Sequence, residues 1–235
     1  MRQNPSFAMT DAAELRRLID ENPWVTIVSA GPDGLVASHY AVLLDEEGDS
    51  GDLTIVGHVG KPDDAIHGLG ERELLVVVQG PHGYISPGWY GDVPSVPTWN
   101  FVSVHLTGVP EILSPEENLR VLDRLVARFE RSLPQPRLMW QAPNDEEYVR
   151  RLERGTVGFR LTPTNVVAKR KLSQNKTDEV VDTIVAELEA GASPYADPRL
   201  SAEMRRAHDA LRATPAGAGA TPHGERDERD ERGDR

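Results

Sequence analysis

The chain has 235 residues, 38 acidic and 26 basic side chains, a formal net charge of −12 and no cysteine. Disulfides, thiolate-bound metals and cysteine nucleophiles are excluded, and direct DNA binding, which depends on Lys and Arg neutralising phosphates, is poorly supported. No apolar run approaches the roughly 20 residues of a membrane span, and MRQNPSFAMTDAAEL lacks the apolar stretch of a secretory signal, so the expectation is one medium cytoplasmic domain with appendages.

Thr10 reads as the N-cap of a first helix over 11–21, with Leu15, Leu18 and Ile19 on one face. WVTIVS (24–29) is a strand, GPDG (31–34) a turn and LVASHYAVLL (35–44) the strand that closes a hairpin. The polar DEEGDSGD leads to a third strand at 53–58, then an irregular or helical piece at 60–71 and a buried strand, ELLVVVQ, at 73–79.

Gln79 to Asn100 reads QGPHGYISPGWYGDVPSVPTWN, with two tryptophans, two tyrosines, a histidine and four prolines in 22 residues. Proline fixes φ and removes a donor, so this run is expected as an irregular connection and not as one regular element. Aromatics are only 6% of the chain, so their density here is local. Any single ring is better explained as core, but the cluster as a whole favours a planar ligand at a subunit interface.

WNFVSVHLTG (99–108) returns as an alternating strand. Ser114-Pro115-Glu116-Glu117 opens a helix to about 130 with a capping-box pattern, and Asn144 with Glu147 repeats that logic for 145–154. TVGFRLTP is a strand and NVVAKRKL an extended segment. A helix follows over 178–190, its inner face carrying Val181, Ile184, Val185 and Leu188, with Gly191 placed to end it. One more amphipathic helix is expected within 191–213, and 214–235 has the composition of a disordered tail. Strands first with helices inserted later indicate an α+β fold centred on an antiparallel barrel.

GPHGYISPGWY, then VPTWNFVSVHLTG, then KLSQN at 171–175 resemble the PaiB family, described as FMN-binding negative transcriptional regulators. The resemblance covers about residues 5–190. It implies a split β-barrel homodimer holding FMN at the subunit interface. FMN needs a phosphate clamp, partners for its ring edge and an apolar or aromatic wall. Lys171, Ser173, Gln174 and Asn175 offer a cation, a hydroxyl and amides in five residues. A solvated turn before the next helix explains the same residues nearly as well, and the resemblance favours the site.

Ser38 and His39 fall on the family's Ser-His position, pointing to opposite faces of their strand. His58 falls on its Gly-His. The family continues from that histidine into Asn-Pro-x-Trp, whereas this chain reads Val59-Gly60-Lys61-Pro62-Asp63-Asp64, so the usual asparagine and tryptophan are missing. Tyr84, Trp89, Tyr90 and Trp99 are the ring-facing candidates. Thr98 and Asn100 are ring-edge candidates on the side opposite Trp99.

Two other readings compete with a regulatory or flavin-dependent redox role. Some PaiB-like proteins resemble haem enzymes of nitrogen–nitrogen bond formation, the piperazate synthases, for which His58 or His39 would ligate iron. Alternatively the aromatics are dimer core in a cofactor-free interaction module. The sequence carries no GxGxxG, Walker A, HExxH or GxSxG motif.

Overall fold

The computed structural model describes residues 1, 4–45, 53–92, 94–191 and 193–213. Eight strands form one continuous antiparallel sheet: β1 (Trp24–Gly31), β2 (Gly34–Leu44), β3 (Ile55–Gly60), β4 (Leu74–Ile85), β5 (Thr98–Gly108), β6 (Glu111–Ile112), β7 (Thr156–Leu161) and β8 (Asn165–Lys171). Their order is β6-β7-β3-β2-β1-β4-β5-β8. β2 is the shared strand, pairing with β1 over Gly34–Ala41 and with β3 over Val42–Leu44. The sheet thus curls about β2 into the two halves of a split barrel.

Alternation decides which side chains fill it. On β1, Val25 and Ile27 point in; on β5, Val102, Val104 and Leu106 do, each at most 1% exposed. Helix α1 (Ala12–Glu21) adds Leu15, Leu18 and Ile19 to the same core. Its cap is Asp11 and not Thr10: the Asp11 carboxylate accepts from the Glu14 N–H at 2.9 Å, which a side chain one residue earlier would not reach. The short helix α2 (Asp63–His67) packs on β1, β2 and β3.

Helix α3 (Pro115–Glu130) begins with the full capping box, Ser114 and Glu117 each bonding the other's backbone N–H. It covers β2, β3 and β7 from outside, placing Val121 and Leu125 against Leu43 and Val56. Helix α4 (Glu146–Arg154) is capped by Asp145, while the expected cap, Asn144, turns its amide to the Met139 carbonyl. Helix α5 (Asp178–Glu189) buries the four expected residues and α6 (Pro198–Ala213) packs beside it. Residues 214–235 lie outside the described residues.

The aromatic block differs most from expectation. β4 does not stop at Gln79 but runs on to Ile85, pairing His82–Ile85 with Thr98–Phe101. A register shift between Gln79 and His82 accommodates Pro81, which has no N–H to give the ladder. Only then does the chain turn into a 3-10 helix at Pro87–Tyr90, whose N-cap is Ser86.

Candidate functional site

The bulged end of β4 and the start of β5 present a cleft on the outer face of the sheet. Asn100 and Val102 point into the barrel, so Trp99, Phe101, Ser103 and His105 face out or sit half-buried. Cross-strand register sets two rows side by side, Gln79–Ser103–Lys169 and His82–Phe101–Lys171. The cavity there has a volume of about 370 Å³, within the range of small-molecule sites, and among the described residues no acidic one lines it. Trp99, 55% exposed, lies nearly parallel to His82 with ring centroids 6.3 Å apart and planes 25° apart. Tyr84 meets Trp99 edge-on at 6.4 Å and Tyr195 at 4.8 Å. Burial, followed by the nearby N-terminal charge, pushes the His105 imidazole below its ordinary value.

Besides the N-terminal ammonium, the cations near the cleft are lysines. Lys169 Nζ sits 5.6 Å from the Phe101 ring centre and 6.0 Å from that of Phe7. Lys171 Nζ donates to Thr98 Oγ1, and Lys176 Nζ lies 5.1 Å from the centre of the Tyr90 ring. Among the described residues every ion pair uses an arginine, and none of these lysines meets a carboxylate. Burial, followed by the charges of Lys169 and Lys176, holds the Lys171 ammonium below its usual range.

Several candidate residues stand elsewhere. Asn100 is wholly buried, its amide donating to Ser173 Oγ at 3.0 Å and to Met204 Sδ at 3.4 Å. Ser173 is itself 5% exposed and holds a left-handed backbone, φ 63°. Gln174 closes the same turn, accepting from the Leu172 N–H and donating to the Arg170 carbonyl, each at 2.6 Å. Asn175 is exposed. Tyr90 is buried and Trp89 packs against the core, so these two adjacent rings both lie apart from the cleft. Within KLSQN, Lys171 alone lies on β8, while Ser173 and Gln174 shape the backbone that follows it.

His39 faces out on β2, where its Nδ1 is 3.1 Å from Thr26 Oγ1 and its ring stacks on Trp24. The register places it in one row with Thr26, Val77 and His105, three strands away from the last. Ser38, its neighbour, faces in. There Ser38 Oγ donates to Asp63 at 3.0 Å, and Tyr40 donates to the same carboxylate oxygen at 2.7 Å. His67 Nε2 lies 3.0 Å from Ser38 Oγ and His67 Nδ1 lies 2.8 Å from Ser29 Oγ.

The carboxylate only accepts, which fixes the direction of the chain: Ser29 donates to Nδ1, Nε2–H to Ser38, and Ser38 to Asp63. The segment after His58 that lacks the PaiB asparagine and tryptophan supplies Asp63 and His67 to this network. His58 lies outside it, its ring edge-on to Tyr40 at 6.1 Å and its buried Nδ1 without a partner. Burial lowers its pKa.

The family model described as "Putative FMN-binding domain" matches residues 1–165. The chain belongs to that FMN-binding family. The Bacillus subtilis protein "Protease synthase and sporulation protein PAI 2" is 29% identical over 192 residues, covering 81% of this chain and 90% of that protein. Two solved structures share the fold. The FAD and heme binding protein from Mycobacterium smegmatis matches with TM-score 0.51 and 19% identity over 74% of this chain and 78% of that one. The flavocytochrome Anf3 from Azotobacter vinelandii matches with TM-score 0.55 and 14% identity over 77% and 78%. The curled eight-stranded sheet is thus a split barrel of the flavin-binding kind.

The outer cleft suits FMN chemically. It joins an aromatic wall, the amide and hydroxyl of Gln79 and Ser103, and unpaired lysines where a phosphate needs cations. Alternation along 99–108 could have added Phe101, Ser103 and His105 to Trp99 from the sequence. His82 and Lys169 needed the register, and nothing in the sequence links Ser29, Tyr40, Asp63 and His67.

Proposed function

We propose that this protein holds FMN in the cleft on the outer face of β4, β5 and β8, and uses it in a redox or regulatory role. The observation that carries this placement is a carboxylate-free aromatic cavity flanked by unpaired lysines in a chain of net charge −12. Trp99 and His82 wall the ring, Gln79 and Ser103 serve its polar edge, and Lys169 and Lys171 bind the phosphate. The flavin would supply electron transfer, and the protein its binding, orientation and electrostatics.

A homodimer completes the site in this reading. Trp24, Leu35 and Trp99 are 65%, 81% and 55% exposed on the same sheet face, a large apolar exposure that a second copy would cover. Residues 1–190 form the cofactor-binding unit, with α6 an added helix. No helix among the described residues is long and apolar enough to cross a membrane, and a cytoplasmic site of action fits that. Regulation, if it resembles that suggested by the name of the Bacillus relative, would act through the flavin or a protein partner. The net charge disfavours direct contact with DNA.

The deciding experiment is the visible absorption spectrum of the purified protein, before and after denaturation in the dark. Two flavin bands, released on denaturation, support the reading. An intense Soret band overturns it in favour of haem, with the unpartnered His58 as the first ligand to substitute. A protein that stays colourless after incubation with FMN and with haem would instead be a cofactor-free interaction module.

A further inference from the structure

The chain uses lysine very sparingly. Of its 26 basic residues only four are lysines, namely Lys61, Lys169, Lys171 and Lys176. Arginine makes the ion pairs among the described residues, while Lys169 and Lys171 stand on β8 across from the cleft residues Ser103 and Phe101, without a carboxylate, and Lys176 follows close after them. For holding a phosphate, arginine would serve as well or better, because its planar fork binds bidentately. What lysine can do and arginine cannot is lose its proton and attack a carbonyl.

We infer that Lys171 is an amine nucleophile that captures planar anionic aldehydes as imines, with Lys169 and Lys176 supplying the charge that attracts the anion. Its position supports this in three ways. Lys171 is half-buried and feels the charges of Lys169 and Lys176, an environment that favours its neutral form. It is the cross-strand partner of Phe101, a residue that lines the aromatic cavity. Its Nζ already touches a hydroxyl, that of Thr98, which can pass a proton.

The chemistry balances without an oxidant. The neutral amine attacks the aldehyde carbon, forming the C–N bond, and a proton moves from nitrogen to the former carbonyl oxygen. Loss of water, assisted by the Thr98 hydroxyl, leaves the imine. The inference rests on the flavin placement in one respect: both use Lys171, so an imine there competes with the FMN phosphate and gives the site a covalent regulator.

Pyridoxal 5′-phosphate is the probe, being planar, anionic and an aldehyde. The full chain is incubated with it at limiting concentration, the product reduced with borohydride, and the modified lysine located by mass spectrometry. Label concentrated on Lys171, lost in Lys171→Arg while circular dichroism stays native, is the expected result. Label spread evenly over Lys61, Lys169, Lys171 and Lys176 overturns the inference. FMN binding of the reduced adduct then separates the two ideas. Selective labelling that leaves FMN affinity unchanged keeps the nucleophile and refutes the phosphate placement. FMN bound normally by a protein with no selective label keeps the flavin site and refutes the nucleophile.

Discussion

Trp99 and Asn100 are neighbours in sequence and opposites in environment, one more than half exposed and the other with no exposed surface. The same division separates His39 from Ser38. At the first position the proposed site makes a direct prediction. Trp99→Ala should weaken FMN binding about fivefold, since a lost ring contact is worth about 1 kcal/mol, with no change in unfolding midpoint. Fluorescence titration with FMN checks the first part and urea denaturation the second.

The hydrogen-bonded chain from Ser29 to Asp63 gives a second. Ser29→Ala leaves Nδ1 of a fully buried His67 unsatisfied and should cost about 1–3 kcal/mol in urea unfolding at pH 7.5. Burial lowers the His67 pKa, with Asp63 pulling the other way, and burial alone lowers that of His58. Both therefore bind a proton more readily unfolded than folded. Their stabilisation is complete above the ordinary value of 6.5 and shrinks as pH falls below it, until the folded-state values are reached. The unfolding midpoint should drop between pH 7.5 and 5.5, and drop less in His58→Phe.

At the scale of elements, α6 shows how an apparent appendage becomes part of the core. Leu200, Met204 and Ala207 are fully buried, and Leu200 lies so close to Gly83 of β4 that a Cβ there would sit 2.8 Å from it. Glu203, 4% exposed, reaches Arg17 of α1 at 2.9 Å. Arg17→Met leaves the buried Glu203 carboxylate only the longer contact to Arg206 at 3.9 Å, and should destabilise the protein by about 3 kcal/mol. Hydrogen exchange should show α6 opening before the sheet. An unchanged exchange pattern would mean that apolar packing alone holds the helix. The sequence made this helix legible through its amphipathic pattern, but not its distant partners, of which Arg17 lies 186 residues away along the chain.

For the whole molecule, the curl about β2 separates two kinds of surface. α3 covers one half-sheet from outside, whereas the face of β2, β1, β4 and β5 carries Trp24, Leu35 and Trp99 in the open. Trp24→Asp places a charge in the proposed subunit contact. Sedimentation should register a dimer for the parent chain and a monomer for this variant, with the sheet's circular dichroism retained. A monomeric parent would remove the second copy from the site.

What the sequence determined by itself was the succession of elements, the antiparallel class and the family. Each rests on local periodicity, caps or a contiguous motif, and local signals survive without coordinates. Ser114 with Glu117 predicted its helix start correctly because a capping box closes within four residues. Tertiary structure alone decided which alternate residues of 79–105 face the barrel and which the cleft. Strand alternation fixes opposition between neighbours but not its sign, which depends on where the sheet curls. It alone joined Ser29, Ser38, Tyr40, Asp63 and His67, and brought the lysines of β8 beside the aromatics of β4 and β5. Those contacts are made across strands, where register and not sequence distance sets what meets.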